Sequence, residues 1–435
     1  MKVVLIEPRA ALANVYSQIP MPLLGPLYLG TILKNRGHDV VIYKEDVYTP
    51  DYSKINADVI GISILTSTAK RGYEIAKKFP REKVIIGGVH ASLMPYEALQ
   101  YARQVVIGEA EEVICDMVEG KIKDSLVQGK AVENLDSLPI PDYSLVQGMK
   151  SLRIRPISTS RGCPHGCSFC SVTKMFGHKY RFRGAESVLT ELDVAKKQDI
   201  FFCDDNFVAN PQRTRDLLAR IIPKKIKGWT CQVRCEVARD PELLDLMHKA
   251  GCRVVCIGFE SINQKTLQAF NKKQTVTQII DSIRNFHRKN IKIHGMFVLG
   301  GEDDTAMTVW DTVRFALKEK IDTIQMMILT PFPGTKTHDF LAGENRIFTK
   351  DWSLYDGQHI VFRPNLVSPK DLQLNVVRAY CKFYSIYNSL VLFTQLSFRN
   401  AFFRLMGHCI VKAWKNHNRD LYWIRNTARE SVKQG

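Results

Sequence analysis

The sequence has no apolar run long enough to cross a bilayer. The longest uncharged apolar stretch near the C-terminus, Phe383 to Phe398, is interrupted by Ser, Asn, Thr and Gln, whereas a spanning helix needs about 20 apolar residues. The opening Met1-Lys-Val-Val-Leu-Ile6 lacks a basic region, a long apolar segment and a cleavage site. A signal peptide is therefore not expected, and the protein is read as cytoplasmic. Acidic residues are scarce, 44 Asp and Glu against 61 Lys and Arg, for a net charge of +17. Such an excess suits nucleic acid, anionic lipid or a phosphorylated substrate. No recognisable RNA module accompanies it, so nucleic acid is not expected as a partner. From Cys381 to Gly435 there are nine Lys or Arg and two acidic residues, Asp420 and Glu430. Finally, no second Cys-x2-Cys pair, of the kind zinc knuckles repeat, follows the one in the middle of the chain.

What the chain does contain is Arg161-Gly-Cys-Pro-His-Gly-Cys-Ser-Phe-Cys170. Thiols in a reducing compartment are used for metal binding or catalysis rather than disulfides. Three thiolates spaced as Cys163, Cys167 and Cys170 can hold three irons of a [4Fe–4S] cube and leave the fourth iron open for chemistry. The rival reading is a zinc site completed by His165 or His178. Of the other eight cysteines, Cys203, Cys231, Cys235, Cys252 and Cys256 fall on expected strands, the last four as pairs spaced four apart. They read either as ligands of an auxiliary cluster or as small buried hydrophobes.

At 435 residues the chain exceeds what one core serves. Short β-branched runs at Lys2–Glu7, Asp39–Tyr43, Val59–Ser63 and Val84–Gly87 alternate with helix-like stretches. That alternation predicts a doubly wound, Rossmann-like α/β domain over 1–130. The proline- and turn-rich stretch around Val132–Asp142 predicts a linker over 131–150. Further alternation predicts a partial (β/α)6 barrel over 151–347. Helices rich in Phe, Tyr and Leu, Leu372–Phe393 and Phe398–Ala413, predict a helical region over 348–435. That region reads as a cap over the barrel's open side or as an amphipathic element on anionic lipid.

Downstream of the cysteines come Phe202-Cys-Asp-Asp-Asn-Phe207, Arg234, Gly258-Phe-Glu-Ser261, Phe297-Val-Leu-Gly-Gly301 and Pro331-Phe-Pro-Gly-Thr335. With the cysteine motif they resemble the radical SAM superfamily over about Ile154 to Ile347. The first segment, with Gly87-Gly-Val-His-Ala-Ser-Leu-Met-Pro-Tyr-Glu97 and Val106-Ile-Gly-Glu109, is similar to the cobalamin-type domain of enzymes such as the anaerobic Mg-protoporphyrin ester cyclase and the hopanoid-modifying group. One departure is the missing Asp-x-His-x-x-Gly motif after the first strand, which reads Glu7-Pro-Arg-Ala-Ala-Leu-Ala-Asn14; any cobalamin binds without that histidine.

The resemblance implies a [4Fe–4S] cluster on Cys163, Cys167 and Cys170, and S-adenosylmethionine (SAM) near Phe169, Asp204, Asp205, Arg234 and Glu260. It implies cobalamin at Ser63, Leu65, Thr66, Gly87, Gly88 and His90. Asp204, Asp205 and Arg234 also have ordinary readings, as helix caps and a barrel ion pair. The implied reaction is reductive cleavage of SAM to a 5′-deoxyadenosyl radical that attacks an unactivated carbon. Methyl transfer or skeletal modification of a hydrophobic, lipid-like substrate then follows. The alternatives are lipid coupling without cobalamin and tRNA modification. A flavodoxin or ferredoxin is the expected electron donor, and the C-terminal region the expected place of peripheral contact with the inner membrane face. No side chain is assigned a catalytic role; Tyr16, His90, Tyr96 and His294 are candidate local acids or bases.

Overall fold

The computed structural model describes residues 1–12, 21–149, 154–195, 198–394 and 398–417. Six parallel strands open the chain: β1 (Lys2–Glu7), β2 (Asp39–Lys44), β3 (Val59–Ser63), β4 (Val84–Gly87), β5 (Gln104–Ile107) and β6 (Leu126–Gln128). Their order is β2-β1-β3-β4-β5-β6. Successive residues of each strand serve opposite faces. Val4, Ile6, Ile60, Ile62 and Ile86 pack one layer with helix Ala69–Ala76, and Val3, Leu5, Val59, Ile85 and Val106 pack the other with helix Leu24–Asn35. Burial on both faces is what an all-parallel sheet requires. Sequence reading finds the first four strands, the four-residue β4 included, and misses β5 and β6, of four and three residues; runs this short carry little periodic signal. The direction of strand addition reverses between β1 and β3, the place where such sheets bind ligands beyond their carboxyl ends.

A second sheet holds β7 (Ile154–Ile157), β10 (Asp199–Phe202), β11 (Trp229–Val233), β12 (Cys252–Glu260), β13 (Lys292–Leu299) and β14 (Thr323–Ile328). All are parallel and in sequence order, with helices between them: the partial (β/α)6 barrel. Two short strands, β8 (Ser160–Arg161) and β9 (Arg181–Phe182), form a separate antiparallel pair.

β14 is the edge of this sheet, and the helix Pro369–Phe383 lies along it. Tyr380 and the following Tyr384 each set a hydroxyl against both backbone groups of one edge residue. Met326 N–H donates to Tyr380 Oη (2.6 Å), which donates to Met326 O (2.9 Å); Ile324 does the same with Tyr384 (2.9 and 2.7 Å). Sequence reading predicts one helix over Leu372–Phe393. The chain instead breaks after Phe383 and resumes as Ile386–Thr394. Asn388 Nδ2 donates to the carbonyls of Lys382 and Phe383, and Asn388 N–H donates to Ser385 Oγ. With neither Pro nor Gly at the break, the sequence carries no strong signal for it. Helix Phe398–His417 then folds back on Ile386–Thr394. Among the described residues no helix is long and apolar enough to cross a membrane.

Candidate active site between the first sheet and the barrel

β8 and β9 close the base of the loop 162–180, which carries the three cysteines; Ser160 pairs with Phe182 and Arg161 with Arg181. Gly162 makes the turn possible. Its φ is +87°, and a Cβ there would stand 2.5 Å from the Lys179 carbonyl oxygen. The loop is pinned from outside: Ser168 N–H donates to Phe270 O (3.1 Å), Asn271 Nδ2 to Gly166 O (2.8 Å) and Thr337 N–H to Ser168 O (3.1 Å). Phe169 meets the Phe270 ring edge-on at 5.1 Å. Burial pushes the Cys163 thiol up and Cys170 up to about 12, and the nearby Cys167 adds to both. The three sulfurs are thus electrostatic neighbours in a loop whose backbone is fixed. Among the described residues no three His, Cys, Asp or Glu side chains gather tightly enough for a single metal ion. A cube makes no such demand, because each thiolate binds a different iron.

The strand ends above the loop differ from one another. Asp204 is 1% exposed and belongs to the frame, not to an open site: Thr159 N–H (2.9 Å), Thr159 Oγ1 (3.2 Å) and Ser160 Oγ (2.5 Å) all donate to its carboxylate. SAM was expected against Asp204 as well as Asp205; the structure commits the Asp204 carboxylate to these hydrogen bonds. Asp205 faces open space, and burial, with Asp204 beside it, raises its carboxyl to about 6. Arg234 donates Nε to Glu236 (2.6 Å) and Nη2 to Lys272 O (2.7 Å). The ion pair with Glu236 is one of the two readings the sequence left open for it.

Glu260 is buried and paired with Lys272 at 2.6 Å. It takes φ +63°, a left-handed conformation that costs a non-glycine residue on the order of 1 kcal/mol or more. Gly258 makes room for the returning carboxylate, since a Cβ there would sit 2.3 Å from Glu260 Oε1. The extra cysteines are spread along the barrel strands. Cys231 and Cys252 are buried in the barrel core against each other, while Cys235 lies past the strand and donates to Gln274 Oε1 at 2.8 Å.

A cavity of about 480 Å³ separates the first sheet from the barrel. Leu5, Ile62, Ser63, Leu65, Gly87 and Gly88 wall one side; Pro156, Ser158, Arg161, Met175, Phe176, Cys203 and Asp205 wall the other. Four of the six residues expected around cobalamin line it. Thr66 and His90 do not: His90 is fully buried, 3.3 Å from Thr66 Oγ1 and 3.4 Å from Glu97, with its ring edge-on to Trp352. Adjacent helical positions diverge by about 100°, so Val89 meets the cavity and His90 turns into the core. Of the candidate acids and bases, Tyr96 is exposed and the half-buried His294 is held by Thr323 and Gln325. Tyr16 lies outside the described residues.

Sequence reasoning missed the residues that join the two walls. Glu109, just beyond β5, accepts from Arg161 Nη1 (2.6 Å) and from both terminal nitrogens of Arg181. Glu111 accepts from Arg161 Nη2 (2.6 Å). One carboxylate of the first domain therefore clasps both arms at the base of the cysteine loop. Its position in Val106-Ile-Gly-Glu109 and the Arg161 beside the first cysteine were the only signals available.

Residues 157–316 match the Radical SAM superfamily, and residues 9–118 match the B12 binding domain. The chain is a radical SAM enzyme with a B12-binding domain. It is 29% identical to the bacteriochlorophyllide d C-12(1)-methyltransferase of Chlorobaculum tepidum over 87% of this chain and 86% of that one. It is 27% identical to the anaerobic magnesium-protoporphyrin IX monomethyl ester cyclase of Cereibacter sphaeroides, over 80% and 62%. The solved structure of the cobalamin-dependent SAM radical enzyme OxsB, with aqua-cobalamin and SAM bound, superposes with a TM-score of 0.69 at 16% identity, covering 94% of this chain and 71% of that one; it shares the fold.

The cofactors of a radical SAM enzyme of this kind are a [4Fe–4S] cluster, SAM and cobalamin, and the residues present fit them. The cavity floor at the switch point is cut back to glycine at Gly61, Gly87 and Gly88. A Cβ on Gly88 would lie 2.6 Å from Ile64 O, and Ser63 Oγ beside it faces the cavity. Among the described residues lining the cavity there is no histidine, in keeping with the missing axial motif.

Proposed function

We propose that the enzyme transfers a methyl group to an unactivated carbon of a hydrophobic, lipid-like small molecule. The observation that carries this reading is the cavity itself, with an apolar lining of Leu5, Ile6, Leu29, Ile85, Val106 and Phe176, between the B12-binding sheet and the cysteine loop. When bound, the cluster with SAM supplies hydrogen abstraction and cobalamin supplies the methyl group. Cys163, Cys167 and Cys170 would hold the cluster, Phe169, Asp205, Arg234 and Glu260 would surround SAM, and Ser63, Leu65, Gly87 and Gly88 would receive the corrin. The lining orients a greasy substrate and keeps water from it. Asp205, Arg161 and Glu111 supply the polar points that fix its orientation. A bacteriochlorophyllide substrate, in the name of one relative, supports the hydrophobic class. A flavodoxin or ferredoxin delivers the electron, and the C-terminal region touches the inner face of the membrane. The cyclase relative favours skeletal modification as the second reading.

The test incubates anaerobically reconstituted enzyme with methyl-labelled SAM, a reductant and the apolar extract of a deletion strain. Label in a new apolar product, absent with Cys163→Ala, is the expected result. An unlabelled product would favour skeletal modification, and no 5′-deoxyadenosine at all would overturn both readings.

A further inference from the structure

The helical hairpin formed by Ile386–Thr394 and Phe398–His417 has two unlike faces. Inward, Ala401, Arg404, Val411 and Trp414 are buried; Arg404 lies 3.9 Å from the Phe383 ring centroid and donates to Ile321 O. That spacing of three to four residues is the seam of a packed helix. Outward, Tyr387 is 71% exposed, Leu390, Phe398 and Phe402 are each 57% exposed, and Ile386 is 53% exposed. Leu405 and Met406 continue the ridge. Large apolar side chains exposed in one contiguous patch mark a docking surface rather than chance. From residue 372 to residue 419 the sequence contains seven Lys or Arg and no Asp or Glu.

We infer that this ridge docks on the surface of an anionic bilayer, which deepens the membrane contact of the proposed function and rests on that reading. Charge decides between occupants. A second copy would bring the same acid-free segment, with Arg378, Lys382, Lys412 and Lys415 exposed, against this one, and like charges would oppose pairing. A nucleic acid would meet the cations but leave Ile386, Leu390, Phe398 and Phe402 in water. An anionic lipid surface satisfies both features, because phosphate headgroups meet the cations and the acyl boundary accepts the apolar ridge. The hairpin is anchored through Tyr384 and Arg404 to the barrel. Docking would therefore hold the whole enzyme at the surface from which a greasy substrate is drawn.

The experiment is flotation of the full-length holoenzyme with vesicles of phosphatidylcholine, with and without phosphatidylglycerol. Binding to the anionic vesicles, weakened by salt, is expected. Replacing the exposed Leu390, Phe398 and Phe402 by Ser should lower partitioning by about tenfold per residue, with the circular dichroism spectrum unchanged. Failure of the unaltered enzyme to float would overturn the docking. So would flotation insensitive to all three substitutions, dimerisation abolished by them, or retention on RNA in place of lipid. Methyl-group incorporation measured in parallel on detergent-dispersed extract keeps the two ideas apart. If it persists without flotation, only the docking fails; if flotation occurs without incorporation, only the proposed reaction fails.

Discussion

Gly88 shows how much one residue can dictate. Its φ of +97° and the 2.6 Å approach to Ile64 O leave no space for a side chain, so Gly88→Ala must shift the loop that carries Ser63 and Leu65. We expect cobalamin retained after reconstitution to fall by about tenfold or more, with iron and sulfide content unchanged; retention at the level of the unaltered protein would contradict that role. The cysteines and this glycine stand out in the sequence because their chemistry leaves few substitutes. Asp204 and Asp205 were not separable: both follow one strand, and only the fold shows that Thr159 and Ser160 consume the first. Thr66 and His90 lie off the cavity for a similar reason, since a motif names positions along the chain and not the direction in which a turn aims them.

At the level of elements, the sequence pattern identified the first four strands of the first sheet, the four-residue β4 among them, and missed β5 and β6, whose pairing is set by their neighbours in the sheet. It also missed how the barrel's edge is finished. Tyr380 and Tyr384 look like two more aromatic core residues in the sequence, yet their hydroxyls take the place of a missing strand. Tyr380→Phe leaves the N–H and C=O of Met326 buried without partners, a loss of about 1–3 kcal/mol. Thermal unfolding should show a lowered midpoint, and the double change to Phe at 380 and 384 should make the protein prone to association through the bared edge. An unaltered midpoint in Tyr380→Phe would show that the edge needs no such cover.

Across the whole molecule, two polar clusters stand out among the contacts that bind the first domain to the rest. One is the cluster of His90, Glu97 and Trp352, where the indole Nε1–H donates to both Glu97 oxygens at 2.9 and 3.1 Å and Tyr73 lies against His90. Burial holds His90 below its ordinary value of 6.5, opposed by Glu97. The folded state therefore binds fewer protons than the unfolded chain just below that value. Its contribution is complete above 6.5 and is lost as the pH falls. Denaturant unfolding should show this acid sensitivity, with a smaller slope in His90→Gln; equal slopes would refute it.

The other contact is Glu109 on Arg161 and Arg181. Only Gly162 separates Arg161 from the first cysteine, so there is no slack in the chain between the clasp and the cluster loop. The two modules cannot evolve their spacing separately. A first domain grafted from a relative will work only if it brings a carboxylate to the same spot, and an insertion between residues 109 and 111 would put the two cofactors out of step even if each still bound.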